Sequence, residues 1–239
     1  MNSKSESLQT FTLTDLQGYT KEGTYSGNAS KDFHLFYVGR DDVHGILDFL
    51  LSRVTTSLYL NMFGYDDDEL NEQCMRCAED PSVTTVVTLD KSQSGGVHEK
   101  KILASDVAQD PAAYRSHFVI GVSPTDQISH TKGGVLDGKV GFEGSTNWST
   151  SGEGTFVVKG GPGGPGYKAQ NNTLAVFTDP DTVARFTAEL IAEHMAASAA
   201  GGALSKTVPP TKTPQAVGKT KPAKRSKKNS AKATKKTQQ

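Results

Sequence analysis

Between His34 and Val122 the chain switches repeatedly between two hydrophobic periods, and this switching restricts its fold more than any other feature. HLFYV (34–38) is a short run of β-formers. DDVHGILDFLLSRV (41–54) then sets Val43, Ile46, Leu47, Leu50 and Leu51 at helical spacing, with Asp41 as the expected N-cap. TSLYLNMF (56–63) reads as a strand, and DDELNEQCMRCAED (67–80) as a polar, exposed helix. SVTTVVTLD (82–90) is the most β-branched run in the chain, and a helix near 97–107 and a strand near 117–122 follow. Strands alternating with helices predict an α/β protein with a central, largely parallel sheet and helices on its faces.

After Thr131 the pattern changes. GGVLDGKVGFEGS (133–145) alternates around Asp137-Gly138, a strong hairpin signal. TLAVFT (173–178) is a further strand. DPDTVARFTAELIAEHMAA (179–197) is a helix with Pro180 near its first position and an apolar stripe through Val183, Phe186, Leu190 and Ile191. Gly201-Gly202 ends it.

Charge divides the chain. Lys+Arg and Asp+Glu number 26 each, so the formal net charge is zero. Residues 205–239 hold ten Lys, one Arg and no acid, which leaves 15 bases against 26 acids in residues 1–204. An acidic body thus carries a basic tail, and a uniformly basic nucleic-acid binder is excluded. The tail has no aromatic residue, and its dense like charge predicts disorder. The expected division is a flexible N-terminal arm or short edge hairpin over 1–30, one domain over 31–200, and the disordered Lys-rich tail. No run approaches the roughly 18 apolar residues of a membrane span. The opening MNSKSESLQTFTL lacks the apolar core of a signal peptide, so a cytoplasmic protein is expected.

His130, Lys132 and Asp137 form H-x-K-x4-D, and Gly144, Ser145 and Asn147 follow as G-S-x-N. Each part has an ordinary reading: Asp137 before Gly138 suits any type I′ turn, and Lys132 suits a solvated edge. The joint spacing has none. The residue types fit phosphodiester chemistry. A neutral imidazole can attack phosphorus and form a phosphohistidine. A second imidazole must protonate the leaving oxygen and later activate water. Lys132 and Asn147 can stabilise the phosphoryl oxygens. His130 and Lys132 are two apart, which on a strand puts both on one face, and Ser145 and Asn147 share that period on the return strand. No carboxylate cluster that would hold a metal is apparent, so neither metal nor cofactor is expected.

The string HTKGGVLDGKVGFEGSTNWS resembles the HKD signature of the phospholipase D superfamily, and the resemblance extends over roughly 34–197. It is nearest to the small, single-motif members, the bacterial endonuclease and mitochondrial cardiolipin-hydrolase branches. It implies an α/β/α sandwich with a mixed, largely parallel sheet, a metal-independent phosphodiesterase, and catalytic roles for His130, Lys132 and Asp137. It also implies substrate binding by Ser145, Asn147 and Asn171. One departure stands out. Endonuclease-like members carry N-x-E-N, whose Glu orients the histidine; here QNNT puts Asn171 at that position, and Glu153 is the other candidate. A single motif supplies one histidine, which implies a homodimer sharing one active site.

Other signals are weaker. His98-Glu99-Lys100 lacks an Asp at the required spacing. Cys74-x-x-Cys77 has no second pair and reads as surface thiols. GGPGGPG (160–166) lacks the Lys-Ser/Thr of a phosphate loop and reads as a mobile lip carrying Tyr167 and Lys168. His34, His44, His117 and His194 show no convergent partners. Three functions stay open: a nuclease, favoured by size and basic tail but opposed by the acidic body; a phospholipid hydrolase whose tail meets anionic membranes; and a non-catalytic phosphate-binding module.

Overall fold

The structure is a computed structural model that describes residues 7–90, 118–121, 129–155 and 166–199. The expected helix near 97–107, His98, His117, most of the Gly-Pro loop and the basic tail lie outside the described residues.

Seven strands form the central sheet: β1 (Phe33–Tyr37), β2 (Ser57–Met62), β4 (Thr84–Asp90), β5 (Phe118–Gly121), β6 (Lys132–Leu136), β7 (Val140–Gly144) and β9 (Thr173–Phe177). Their order is β1-β9-β7-β6-β2-β4-β5. The β-branched run supplies β4, which pairs parallel to β2 and β5. The pairings of β1 with β9, β9 with β7, β7 with β6, and β6 with β2 are antiparallel. The sheet is therefore mixed, as expected, with antiparallel pairings in the majority. The reason is the tight β6–β7 hairpin, which reverses the chain with no room for a crossover helix. Asp137 (φ 52°) and Gly138 (φ 61°) take the left-handed conformations of a type I′ turn, as the Asp-Gly pair predicts.

Helices α1 (Val43–Leu51) and α2 (Asp68–Glu79) pack over one face. Alternation along β2 sends Leu58, Leu60 and Met62 into that core, while Tyr59 faces the other side, where α4 (Pro180–Ala197) lies. Helices thus cover both faces of the sheet. Asp42, not Asp41, caps α1, accepting from the Gly45 amide at 3.0 Å. Asp41 is buried and accepts from the Tyr37 and Lys21 amides at 2.8 and 3.1 Å.

Two further expectations change. Residues 7–30 are not a free arm: they form 3-10 turns at Leu8–Thr10 and Leu13–Tyr19, and Leu8, Leu13 and Leu16 are buried in the core beside α1. Three leucines among polar residues carry no clean period, yet each fills space that the sheet and α1 leave. Helix α2 is polar in composition but buries Leu70, Cys74, Cys77 and Ala78 along one stripe. Cys74 and Cys77 are therefore buried free thiols rather than surface ones, and burial pushes both thiol pKa values up, that of Cys77 to about 11.

Candidate active site

The site collects where β2 ends, at Phe63 and Gly64. Strand β6 runs antiparallel to β2, so its beginning meets the end of β2, and Lys132 pairs with Met62. His130 lies just before β6 and is exposed, with its ring 4.5 Å from the Phe63 ring. Lys132 is buried, and its ammonium lies 5.0 Å from the same ring. Its Nζ donates to the His130 carbonyl at 2.6 Å. Phe63 is thus a shared platform that the sequence did not single out. Burial lowers the Lys132 pKa, and the charges of Glu143 and Asp90 partly restore it.

Of the G-S-x-N segment only Gly144 belongs to the return strand β7; Ser145 and Asn147 lie in the connection after it. Ser145 is held by β9: its Oγ accepts from the Thr173 amide at 3.0 Å and meets Asn172 Oδ1 at 3.2 Å. Asn147 is placed by a two-stranded parallel pair, β3 (Tyr65–Asp66) and β8 (Trp148–Ser149). The Trp148 amide donates to the Gly64 carbonyl at 2.9 Å, and the buried Trp148 ring stacks on Tyr65 with centroids 5.4 Å apart. Gly64 makes room for Asn147: a Cβ there would stand 2.8 Å from Asn147 Cγ. Asn147 Oδ1 is buried with no hydrogen-bond partner among the described residues, so the fold's own network does not hold that oxygen. His130, Lys132 and Asn147 therefore gather at one end of the central strands β2 and β6.

Asp137 does not join them. It sits in the hairpin turn at the other end of β6, five residues from Lys132. A strand rises about 3.3 Å per residue, which puts the two roughly 16 Å apart. The Asp137 carboxylate instead accepts from the Thr55, Thr56 and Ser57 amides and the Thr55 hydroxyl at 2.8–3.1 Å. Burial would raise its pKa, but these donors outweigh burial and hold it below the usual carboxylate value. In the structure the Asp137 carboxylate fixes the start of β2, at the end of β6 away from His130 and Lys132.

Neither candidate for the orienting Glu reaches His130. Asn171 is exposed, and it is Asn172 that meets Ser145. Glu153 belongs to α3 (Thr150–Glu153) and is buried against His44. His44 Nδ1 lies 2.6 Å from Glu153 Oε2 and 3.5 Å from Asp67 Oδ2, while Nε2 lies 2.8 Å from Glu69 Oε2. Desolvation opposes charge on both groups. The carboxylates nonetheless raise His44 to about 9, and burial raises Glu153 to about 7. The expectations that His44 lacks partners and that the chain has no carboxylate cluster are both overturned. Residues 44, 67 and 153 are too far apart in sequence for spacing to reveal them. The placement of His44 on the apolar stripe of α1 was the available signal.

A second polar group lies beside the site on the α4 face. The Ser129 amide donates to Asp90 Oδ2 at 2.6 Å and its Oγ to Asn61 Oδ1 at 3.1 Å, and the Asn61 amide donates to Glu193. This group anchors the residue before His130. His194 meets Thr88 Oγ1 at 3.0 Å, and His34 stacks on Tyr25 at 3.6 Å.

No protein-family model matches the chain, and no curated protein matches it. Among solved structures, the chain is similar to several bacterial proteins, one of them, Nuc, described as a phospholipase D family member. Nuc from Salmonella typhimurium is 13% identical with a TM-score of 0.49, over 69% of this chain and 95% of Nuc. NucT from Helicobacter pylori is 14% identical with a TM-score of 0.47, over 69% of this chain and 96% of NucT. Phosphatidylserine synthase from Haemophilus influenzae is 13% identical with a TM-score of 0.44, over 64% of this chain and 35% of the synthase. At these identities, assignment of an activity rests on the chain's own residues. No described helix is long and apolar enough to cross a membrane.

Proposed function

We propose that this chain is a phosphodiesterase of phospholipase D type that works through a phosphohistidine on His130, with nucleic acid as its favoured substrate. One observation carries the reading. An exposed imidazole stands beside a buried ammonium, on a shared aromatic ring, at the end of the central strands where the Asn147 amide arrives.

The roles follow from the chemistry. A neutral His130 nitrogen attacks phosphorus, the N–P bond forms, and the P–O bond to the leaving group breaks. Lys132, kept close to water-poor surroundings, places positive charge where the phosphoryl oxygens gain negative charge, and the Asn147 amide donates to the same oxygens. Ser145 fixes the turn that presents Asn147. The leaving oxygen needs a proton, and the attacking water must later lose one. A second His130 across a two-fold axis supplies this group, so the active form is a homodimer in which each site borrows the partner copy's histidine. The Lys-rich tail, through counterion release, supports nucleic acid over phospholipid as substrate.

The test is acid quenching of turnover on single-stranded DNA, duplex DNA, RNA and phospholipid vesicles. A trapped phosphohistidine that vanishes in His130→Ala is expected. Turnover that survives His130→Ala overturns the mechanism. Turnover confined to vesicles makes the protein a lipid hydrolase instead.

A further inference from the structure

Beyond the phosphodiesterase site, the fold brings together a second set of donors. His44 comes from α1, Asp67 from the N-cap of α2 and Glu153 from α3. One donor atom of each lies within 4.8 Å of the other two. We propose that His44, Asp67 and Glu153 form a binding site for a divalent transition-metal cation, which braces the loop carrying Ser145 and Asn147.

Four observations support the assignment. First, the set contains one imidazole and two carboxylates, donors suited to zinc or manganese. Second, the other ring nitrogen is already committed: Nε2 lies 2.8 Å from Glu69 Oε2. An imidazole that donates Nε2–H to a carboxylate turns the Nδ1 lone pair toward Asp67 and Glu153, as in carboxylate–histidine–metal sites. Third, Glu153 is 1% exposed, and although the Ser149 backbone amide faces its carboxylate, Oε1 makes no hydrogen bond of ordinary geometry among the described residues. An orphaned carboxylate oxygen at that depth is costly, and a cation satisfies it. Fourth, among the described residues no Lys or Arg forms an ion pair with Asp67 or Glu153.

The spacing fits an ion after a small adjustment. Bonds of about 2.0–2.2 Å at tetrahedral angles separate neighbouring donor atoms by roughly 3.4 Å. Asp67 Oδ2 is already 3.5 Å from His44 Nδ1, and Glu153 Oε2, at 2.6 Å, needs to move by less than about 1 Å. The ion would tie α1, the start of α2 and α3 together. Helix α3 begins two residues after Trp148, and a Cβ on Gly152 would stand 2.2 Å from the Asn147 carbonyl, so bracing α3 braces Asn147. The role is structural, and no phosphoryl step passes through the ion.

The test needs no substrate, so it stands apart from the phosphodiesterase reading. The full chain, stripped with EDTA and dialysed, is titrated with Co(II) and with zinc chloride. Visible cobalt d–d absorption, one zinc per chain by calorimetry and a raised Tm are expected. Asp67→Asn, which keeps a capping side chain for the Leu70 amide, should weaken zinc at least ~100-fold. Glu69→Gln should weaken it ~10-fold to 100-fold. Asp181→Asn, an exposed surface-pair variant, should bind normally. Three results overturn the proposal: no binding below about 1 mM, unchanged affinity in Asp67→Asn, or a His44 ring that keeps both protons at saturating zinc.

Discussion

At the scale of single residues, the HKD-like string separates into two jobs that its spacing does not distinguish. Lys132 opens β6 and Asp137 follows its last residue, yet one is buried beside His130 and the other holds the opposite end of the strand. Lys132→Met should keep the fold, because the stem already packs in an apolar setting, while kcat falls about 10²–10³-fold. Stopped-assay kinetics with circular dichroism checks both halves. Asp137→Asn should instead cost stability, about 1–3 kcal/mol at neutral pH, because buried amides of residues 55–57 lose a charged acceptor. The sign with pH is fixed. A carboxylate whose folded pKa lies below its ordinary 3.8 contributes fully above that value and loses its contribution as pH falls through the folded value. Urea denaturation should therefore show the gap between the two proteins closing below about pH 4. A gap that stays constant down to acid pH would mean the hydrogen bonds do not depend on charge.

Elements place what residues only make possible. The G-S-x-N segment has no regular structure where Asn147 sits, and its position depends on β3 and β8, two residues each. Such a short pair gains its rigidity from the Trp148–Tyr65 stack and from the close approach of Gly64. Gly64→Ala should displace Asn147 and lower kcat by roughly tenfold or more, since an ångström of misplacement is felt strongly in the reaction barrier. Gly27→Ala, where a Cβ meets nothing within 4 Å, is the matched control and should stay within ~0.5 kcal/mol of the parent. The N-terminal 3-10 turns make a parallel point. Leu16 is 0% exposed, so Leu16→Ala should cost about 2–5 kcal/mol, as core truncations do. An arm without tertiary contacts would lose nothing in the same denaturation experiment.

For the whole molecule, charge and symmetry decide what the site meets. An acidic body does not by itself attract a polyanion, whereas eleven positive charges in 205–239 can displace counterions from several phosphates. Truncation after Leu204 should leave turnover of a small phosphodiester unchanged. It should also weaken binding to long nucleic acid and flatten the salt dependence, read from affinities at several ionic strengths. Loss of vesicle binding with nucleic-acid affinity intact would make the tail a membrane tether. Shared sites predict that activity follows the dimer fraction in sedimentation, and a fully active monomer would end the two-histidine mechanism. Much of this was legible in the chain itself. Period switching placed β1, β2, β4, β9, α1, α2 and α4 within a few residues, and Asp137-Gly138 specified its own turn, because these are local effects of side-chain period and backbone sterics. That His130, Lys132 and Asn147 end up close together was likewise legible, since a hairpin turns fixed spacing into nearness. Strand direction across the sheet, the buried stripe of α2, the Phe63 platform, the role of Asp137 and the meeting of His44, Asp67 and Glu153 were not. Each depends on which segments lie side by side after folding, and contacts between residues 20 to more than 100 positions apart leave no period for a single sequence to display.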